Sequence, residues 1–177
     1  MNSKNEENCL AERGHPSLVE LKQSQGYPGL TQLKEKELAV IECIQEIPCN
    51  PCEKACPVGA INIGKPITNL PELDVSKCVG CRQCIAACPG LAIFTIDYNY
   101  SKTKAALSFP YEFIPYPEAG EKVEAVNRKG EKVIEAEVLR VEVEGNENTA
   151  VITIEIPHQY IEEIRSINYD RGVRDGS

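Results

Sequence analysis

The sequence predicts an α+β chain in three parts: an N-terminal arm (1–36), a doubled cysteine-rich unit (37–106) and a small antiparallel β sheet or barrel with a C-terminal helix (107–177). Three observations predict it. Eight of the nine cysteines lie between Cys43 and Cys88. That stretch repeats at an offset of 32 residues: Ala55-Cys56-Pro57 and Ala60-Ile61 recur as Ala87-Cys88-Pro89 and Ala92-Ile93, and Cys49 and Cys52 align with Cys81 and Cys84. Beyond residue 107 the cysteines stop, and β-rich runs separated by turn residues take over.

In the arm, Pro16 precedes a candidate helix from Ser17 to Gln25, which Gly26, Pro28 and Gly29 end. Its apolar residues, Leu18, Val19 and Leu21, are too few for a core of their own, so the segment is expected to pack on the rest of the chain or on a partner. The stretch Met1 to Arg13 is polar and lacks the features of a secretory leader. No run approaches the roughly 18 apolar residues of a membrane span. The expected compartment is the cytoplasm, where clustered cysteines bind metal more often than they form disulfides. A net charge of −8 argues against a nucleic-acid partner, because phosphate binding wants a basic face. It suits solubility or docking on a basic protein surface.

The doubled unit opens on a predicted strand, Leu38 to Ile41, and closes on another, Ile93 to Asp97. Its second cysteine set reads Cys78-x2-Cys81-x2-Cys84-x3-Cys88-Pro89. Such spacing wraps inward-pointing thiolates around a small inorganic cube, and Gly80, without a Cβ, lets the chain curl tightly enough. The first set departs from this: Cys43-x5-Cys49-x2-Cys52-x3-Cys56-Pro57, with Glu46 opposite Cys78 in the repeat. Two readings are open. Either a three-residue insertion lets Cys43 reach the metal, or the site has three cysteines, holding three irons or taking Glu46 as the fourth ligand. Thiolate is the commoner ligand and Cys43 otherwise has no role, which favours the first.

Structural zinc would want two CxxC pairs across a short loop, and redox-active CxxC chemistry a thioredoxin-like pattern that is missing. Cys9 reads as a bystander in a polar tail, and His15 and His158 as surface or capping residues. Lys54, Lys77 and Arg82, near the cysteines, could tune the potential of a bound group, but a solvated face is the favoured reading; Tyr98 and Tyr100 read as packing residues. There is no phosphate loop, dinucleotide fingerprint or Ser/His/Asp arrangement, so no catalytic site of the chain's own is expected.

In the last part, Glu121 to Asn127 and Lys132 to Val143 are predicted strands joined by a hairpin turn at Asn127-Arg128-Lys129-Gly130. A turn at Gly145 to Asn148 leads to a strand from Thr149 to Ile156, expected to offer an open edge. Pro157 is expected to start a short helix with Ile161 and Ile164 on one face. Pro110 to Pro117 is a linker or entry strand.

The stretches Cys49–Pro57 and Cys78–Pro89 resemble the two halves of a bacterial-type ferredoxin with two [4Fe–4S] clusters, over residues 40–98. The resemblance implies a βαββαβ fold with pseudo-twofold symmetry. It implies that one cluster takes Cys43, Cys49, Cys52 and Cys88, and the other Cys78, Cys81, Cys84 and Cys56. The run Ile41 to Cys52 is also similar to small iron–sulfur subunits that accompany flavin-dependent amine or imino-acid dehydrogenases in anaerobes. That similarity implies an electron-transfer subunit relaying electrons from or to a flavoprotein dehydrogenase, with the arm and the β-rich part as docking elements. The alternatives are a free ferredoxin-type carrier with extra domains, and a sensor or assembly protein whose clusters are structural. Pro51 has no N–H to offer a cluster sulfur, so the cluster held by Cys43, Cys49, Cys52 and Cys88 is expected to have the lower potential.

Overall fold

A computed structural model describes residues 10–143 and 149–169. Cys9 and the expected turn at Gly145 to Asn148 lie outside the described residues. The arm carries three short helices: α1 (Leu10–Arg13), α2 (Leu18–Gln23) and α3 (Leu30–Leu33). Ser17, expected inside the helix, caps α2 instead, accepting the backbone N–H of Glu20 while the Glu20 side chain accepts that of Ser17. From Leu10 onward the arm packs on the rest of the chain. Leu21, Tyr27 and Leu33 are buried in the common core. The N–H groups of Ile41 and Leu73 donate to the carbonyls of Gly26 (3.0 Å) and Gln25 (3.1 Å). A Cβ at Gly26 would meet the Pro71 carbonyl oxygen at 2.9 Å and the Ile41 Cβ at 3.0 Å, so glycine is what lets the arm lie this close.

From Leu38 to Asp97 the order is strand, helix, strand, strand, helix, strand: β1 (Leu38–Ile41), α4 (Pro51–Ala55), β2 (Ile61–Asn62), β3 (Glu72–Leu73), α5 (Gln83–Ala86) and β4 (Ile93–Asp97). The 32-residue repeat is also a repeat of pairing. Ile41 faces Ile93 and Val40 faces Phe94 in one antiparallel pair; Leu73 faces Ile61 and Glu72 faces Asn62 in the other. Each of these residues has its counterpart 32 positions away. The N–H of Glu42 donates to the Ala92 carbonyl, and that of Asp74 to the Ala60 carbonyl, both at 2.8 Å. Register is therefore kept before the first cysteine set and within it, which corrects the expected insertion: the loop from Glu42 to Cys49 is as long as that from Asp74 to Cys81. Cys43 simply stands earlier in a loop of equal length.

The remaining strands are β5 (Lys104–Tyr111), β6 (Lys122–Asn127), β7 (Lys132–Glu142), β8 (Ala150–Pro157) and β9 (Ile164–Asn168). They join β1 and β4 in one antiparallel sheet of order β1-β4-β5-β8-β7-β6-β9. Three expectations change here. Residue 107, the expected boundary, falls in the middle of β5, which pairs with β4 on one side and β8 on the other. The segment Thr149 to Ile156 is not an edge, because β8 is hydrogen-bonded to both β5 and β7. The expected C-terminal helix is a single 3-10 turn, His158–Tyr160, after which Ile164 opens β9 against β6. Ile161, Ile164 and Ile167 recur every third residue, a helical period, but the gain for Ile164–Asn168 is a ladder partner in β6.

The two outer strands of the sheet, β1 and β9, are tied by charge. Glu42, immediately after β1, accepts Arg165 Nε of β9 on Oε1 at 2.6 Å and Arg128 Nε on Oε2 at 2.8 Å. The side chains of Glu42 and Arg165 are only 6% and 3% exposed. Arg165 also donates to the Ile161 carbonyl (2.7 Å) and to Tyr27 Oη (3.3 Å), and lies over the Phe94 ring. Arg128 donates to the Glu162 carbonyl at 2.8 Å. Burial would raise the pKa of Glu42, but the Arg128 hydrogen bond and the two guanidinium charges outweigh it, and the net shift is downward.

Glu42→Gln leaves the buried Arg165 and the half-buried Arg128 without their counter-charge, which is expected to cost about 3–5 kcal/mol in urea unfolding followed by circular dichroism. Because the folded-state pKa is depressed, the wild-type contribution is present above the ordinary carboxylate range and is lost as pH falls below it, whereas the glutamine variant lacks that pH dependence. Deleting residues 1–36 uncovers β1 and the core around Leu21, so the truncated chain is expected to unfold at lower urea and to retain less iron than the full chain under metal analysis.

Candidate metal centre

The eight cysteines of the doubled unit form two sets in space. Cys43, Cys49, Cys52 and Cys88 line one cavity, whose other walls include Ile41, Ile47, Ile63, Pro71 and Ile93. Cys56, Cys78, Cys81 and Cys84 line a second, with Ala39, Ala60, Ile61 and Thr95. In each set three cysteines come from one half of the repeat and one from the other. Glu46, the alternative fourth ligand, is exposed and does not line the first cavity.

The half-to-half exchange has a local cause. After Cys56 and Cys88 the chain makes the same turn: the N–H groups of Gly59 and Leu91 donate to the carbonyls of Cys56 (3.2 Å) and Cys88 (3.0 Å). The next amide, Ala60 or Ala92, then donates to the cysteine sulfur, at 3.1 Å for Cys56 and 3.5 Å for Cys88. Both turns need a left-handed residue, which is Gly59 at φ +60° in the first half and Leu91 at φ +50° in the second. For a leucine that conformation costs about 1–2 kcal/mol. A third backbone amide, Ala39 of β1, donates to Cys78 Sγ at 3.4 Å.

The donor set fits a polynuclear iron–sulfur group. Four thiols face each space from mostly apolar walls, and among the described residues no three His, Cys, Asp or Glu side chains converge as a single ion requires. Burial, followed by the neighbouring cysteines of its own set, pushes the Cys84 thiol up to about 12 and the Cys52 thiol up to about 11. Cys43 is shifted upward for the same reasons. Such thiols become thiolates when a metal cation takes the place of the proton.

Other residues singled out in the sequence fall as follows. His158 stacks on Tyr98, centroids 3.9 Å apart, and its Nε2 hydrogen-bonds the Tyr98 carbonyl oxygen at 2.8 Å, a capping role. Tyr100 is exposed rather than packed. Lys54 is exposed, and Lys77 pairs with Asp74 at the surface. Arg82 departs from the solvated reading: it is half-buried, lines the second cavity, and is held by Glu37 at 3.0 Å and by Glu142 at 3.5 Å. Its place between Cys81 and Cys84 is the sequence signal for it. Gly80 lies at φ +64°, where a Cβ would meet the Glu37 side chain at 2.6 Å, so glycine also makes room for Glu37.

Residues 42–92 match the family model of a 4Fe-4S dicluster domain. The chain is similar to a subunit of an ion-translocating oxidoreductase complex from Methanosarcina acetivorans, 40% identical over 60 residues, which is 34% of this chain and 22% of that one. It is also similar to a selenate reductase subunit from Mesobacillus selenatarsenatis, 39% identical over 80 residues, 45% of this chain and 26% of the other. The matched stretches thus span about a quarter of these curated relatives. No solved structure shows a significant match. The chain carries a ferredoxin-type iron–sulfur domain. Among the described residues no helix is long and apolar enough to cross a membrane.

Changing Cys43 to Ala is expected to remove the first site's full iron complement or convert it to a three-iron form, read by iron analysis and EPR, while Glu46→Ala leaves both unchanged.

Proposed function

We propose that the chain is a non-catalytic electron-transfer subunit of an oxidoreductase complex, holding two [4Fe–4S] clusters. Cys43, Cys49, Cys52 and Cys88 hold the first; Cys56, Cys78, Cys81 and Cys84 hold the second. The observation that carries this reading is the pair of four-cysteine cavities, each completed by a thiol from the opposite half. When bound, each cluster supplies a store for one electron at a time. The chain's own part is to keep the thiols inward, keep the walls apolar and aim backbone N–H groups at the sulfurs, the levers by which a protein sets such a potential.

The names of the two relatives, both subunits of oxidoreductases, support a role as one subunit among several. The partner we propose is a flavoprotein dehydrogenase, because the run from Ile41 to Cys52 is similar to the small subunits of such enzymes. The cytoplasm remains the proposed compartment on the strength of its clustered cysteines.

Anaerobic analysis of the purified chain is expected to give about eight irons and about eight acid-labile sulfides. Four irons, or zinc in their place, would overturn the two-cluster reading. A flavoprotein retained in fixed ratio on gentle purification separates a subunit from a freely diffusing carrier.

A further inference from the structure

The two cavities differ in one respect that the cysteines do not share. Among the described residues no charged side chain lines the first cavity, whereas Arg82 lines the second. The residue 32 positions before Arg82 is Asn50, which is uncharged and does not line the first cavity. Arg82 is also held with unusual firmness. Its backbone sits at φ +68°, a conformation that side-chain-bearing residues seldom adopt, at the cap position of α5. Glu37 accepts its Nη1 at 3.0 Å and is itself fixed by Thr95 Oγ1 at 3.0 Å. Glu142, from β7, faces its Nε at 3.5 Å. Arg82 is thus the charged residue in that cavity's wall, with its guanidinium paired to both carboxylates.

We infer that Arg82 is a positioning residue that holds the second site at a higher reduction potential than the first. The inference rests on the two-cluster reading. A fixed positive charge beside a cluster favours its reduced, more negative state. The Glu37 and Glu142 carboxylates, paired with the guanidinium, weaken the effect without removing the cation's share. The backbone acts in the same direction: two amides, of Ala39 and Ala60, donate to sulfurs of the second set, and one, of Ala92, to the first. The lower potential expected of the first site from Pro51 thereby gains a second cause on the other side of the pair. β7, which lies outside the doubled unit, supplies one of the two anchors of that cation.

The test is an EPR-monitored redox titration of the iron-loaded full chain. Two waves are expected in the wild type, and Cys81→Ser, which alters the spectrum of the second site alone, identifies its wave. In Arg82→Gln the second wave moves to more negative potential and the first stays in place, with iron content unchanged; Arg82→Lys stays near the wild type. If Arg82→Gln does not load, Glu142→Gln decides, since it leaves the cation with one counter-charge fewer and must raise the second wave. An unmoved second wave, or equal movement of both waves, overturns the inference. A wild-type chain with fewer than two clusters overturns the two-cluster reading instead, so the two failures are distinguishable.

Discussion

A single buried carboxylate joins what the hydrogen-bonded ladders leave apart. The seven-stranded sheet has β1 at one end and β9 at the other, with no backbone pairing between them. Glu42 spans that gap by accepting Arg165 from β9 and Arg128 from the turn between β6 and β7. It does so one residue before Cys43. Any movement of β9 relative to β1 is therefore felt at the entrance of the first cysteine loop. Tyr27 of the arm enters the same network through Arg165. Burying three charges is costly, and the arrangement is tolerable because every one of them meets an opposite charge or a carbonyl. Its yield is register and closure more than raw stability.

Much of the doubled unit is legible directly in the residues. Leu38–Ile41 and Ile93–Asp97 are marked by their apolar β-branched content, and both strands occur with those ends. The repeat carries the remainder, because an offset that aligns cysteines also aligns strand pairs. The sequence already favours Cys43 in the first set, but its place in the cavity wall needs three dimensions. In one dimension Cys43 is displaced by three positions, and only the unbroken register of Ile41 and Cys49 shows that the loop has no extra length.

The differences between sequence pattern and structure cluster where tertiary context overrides local signals. Ile161, Ile164 and Ile167 have a helical period, yet Arg165 between them must reach Glu42, and a strand against β6 provides that reach. A change of composition near residue 107 looks like a boundary, but composition reports the loss of cysteines and not the end of a sheet. The arm has too few apolar residues to fold alone; Leu21 and Leu33 are buried because the rest of this chain supplies the other wall. Arg82 looks solvated because nothing in its neighbourhood of sequence reveals Glu37 and Glu142, 45 and 60 positions away.

The exchange of one cysteine between halves bears on the order in which the molecule can be made. Cys88 lines the first cavity and Cys56 the second. Synthesis runs from the N-terminus, so the set that begins first in the chain is the one that closes last. The second set has all four of its thiols once Cys84 has emerged, while the first still waits for Cys88. The turn that follows Cys88 then leads into β4, which pairs with β1, the strand that enters the first cysteine loop. Completion of the first set is thereby tied to the last of the eight cysteines to emerge. A chain interrupted before that point presents only three of that set's four thiols.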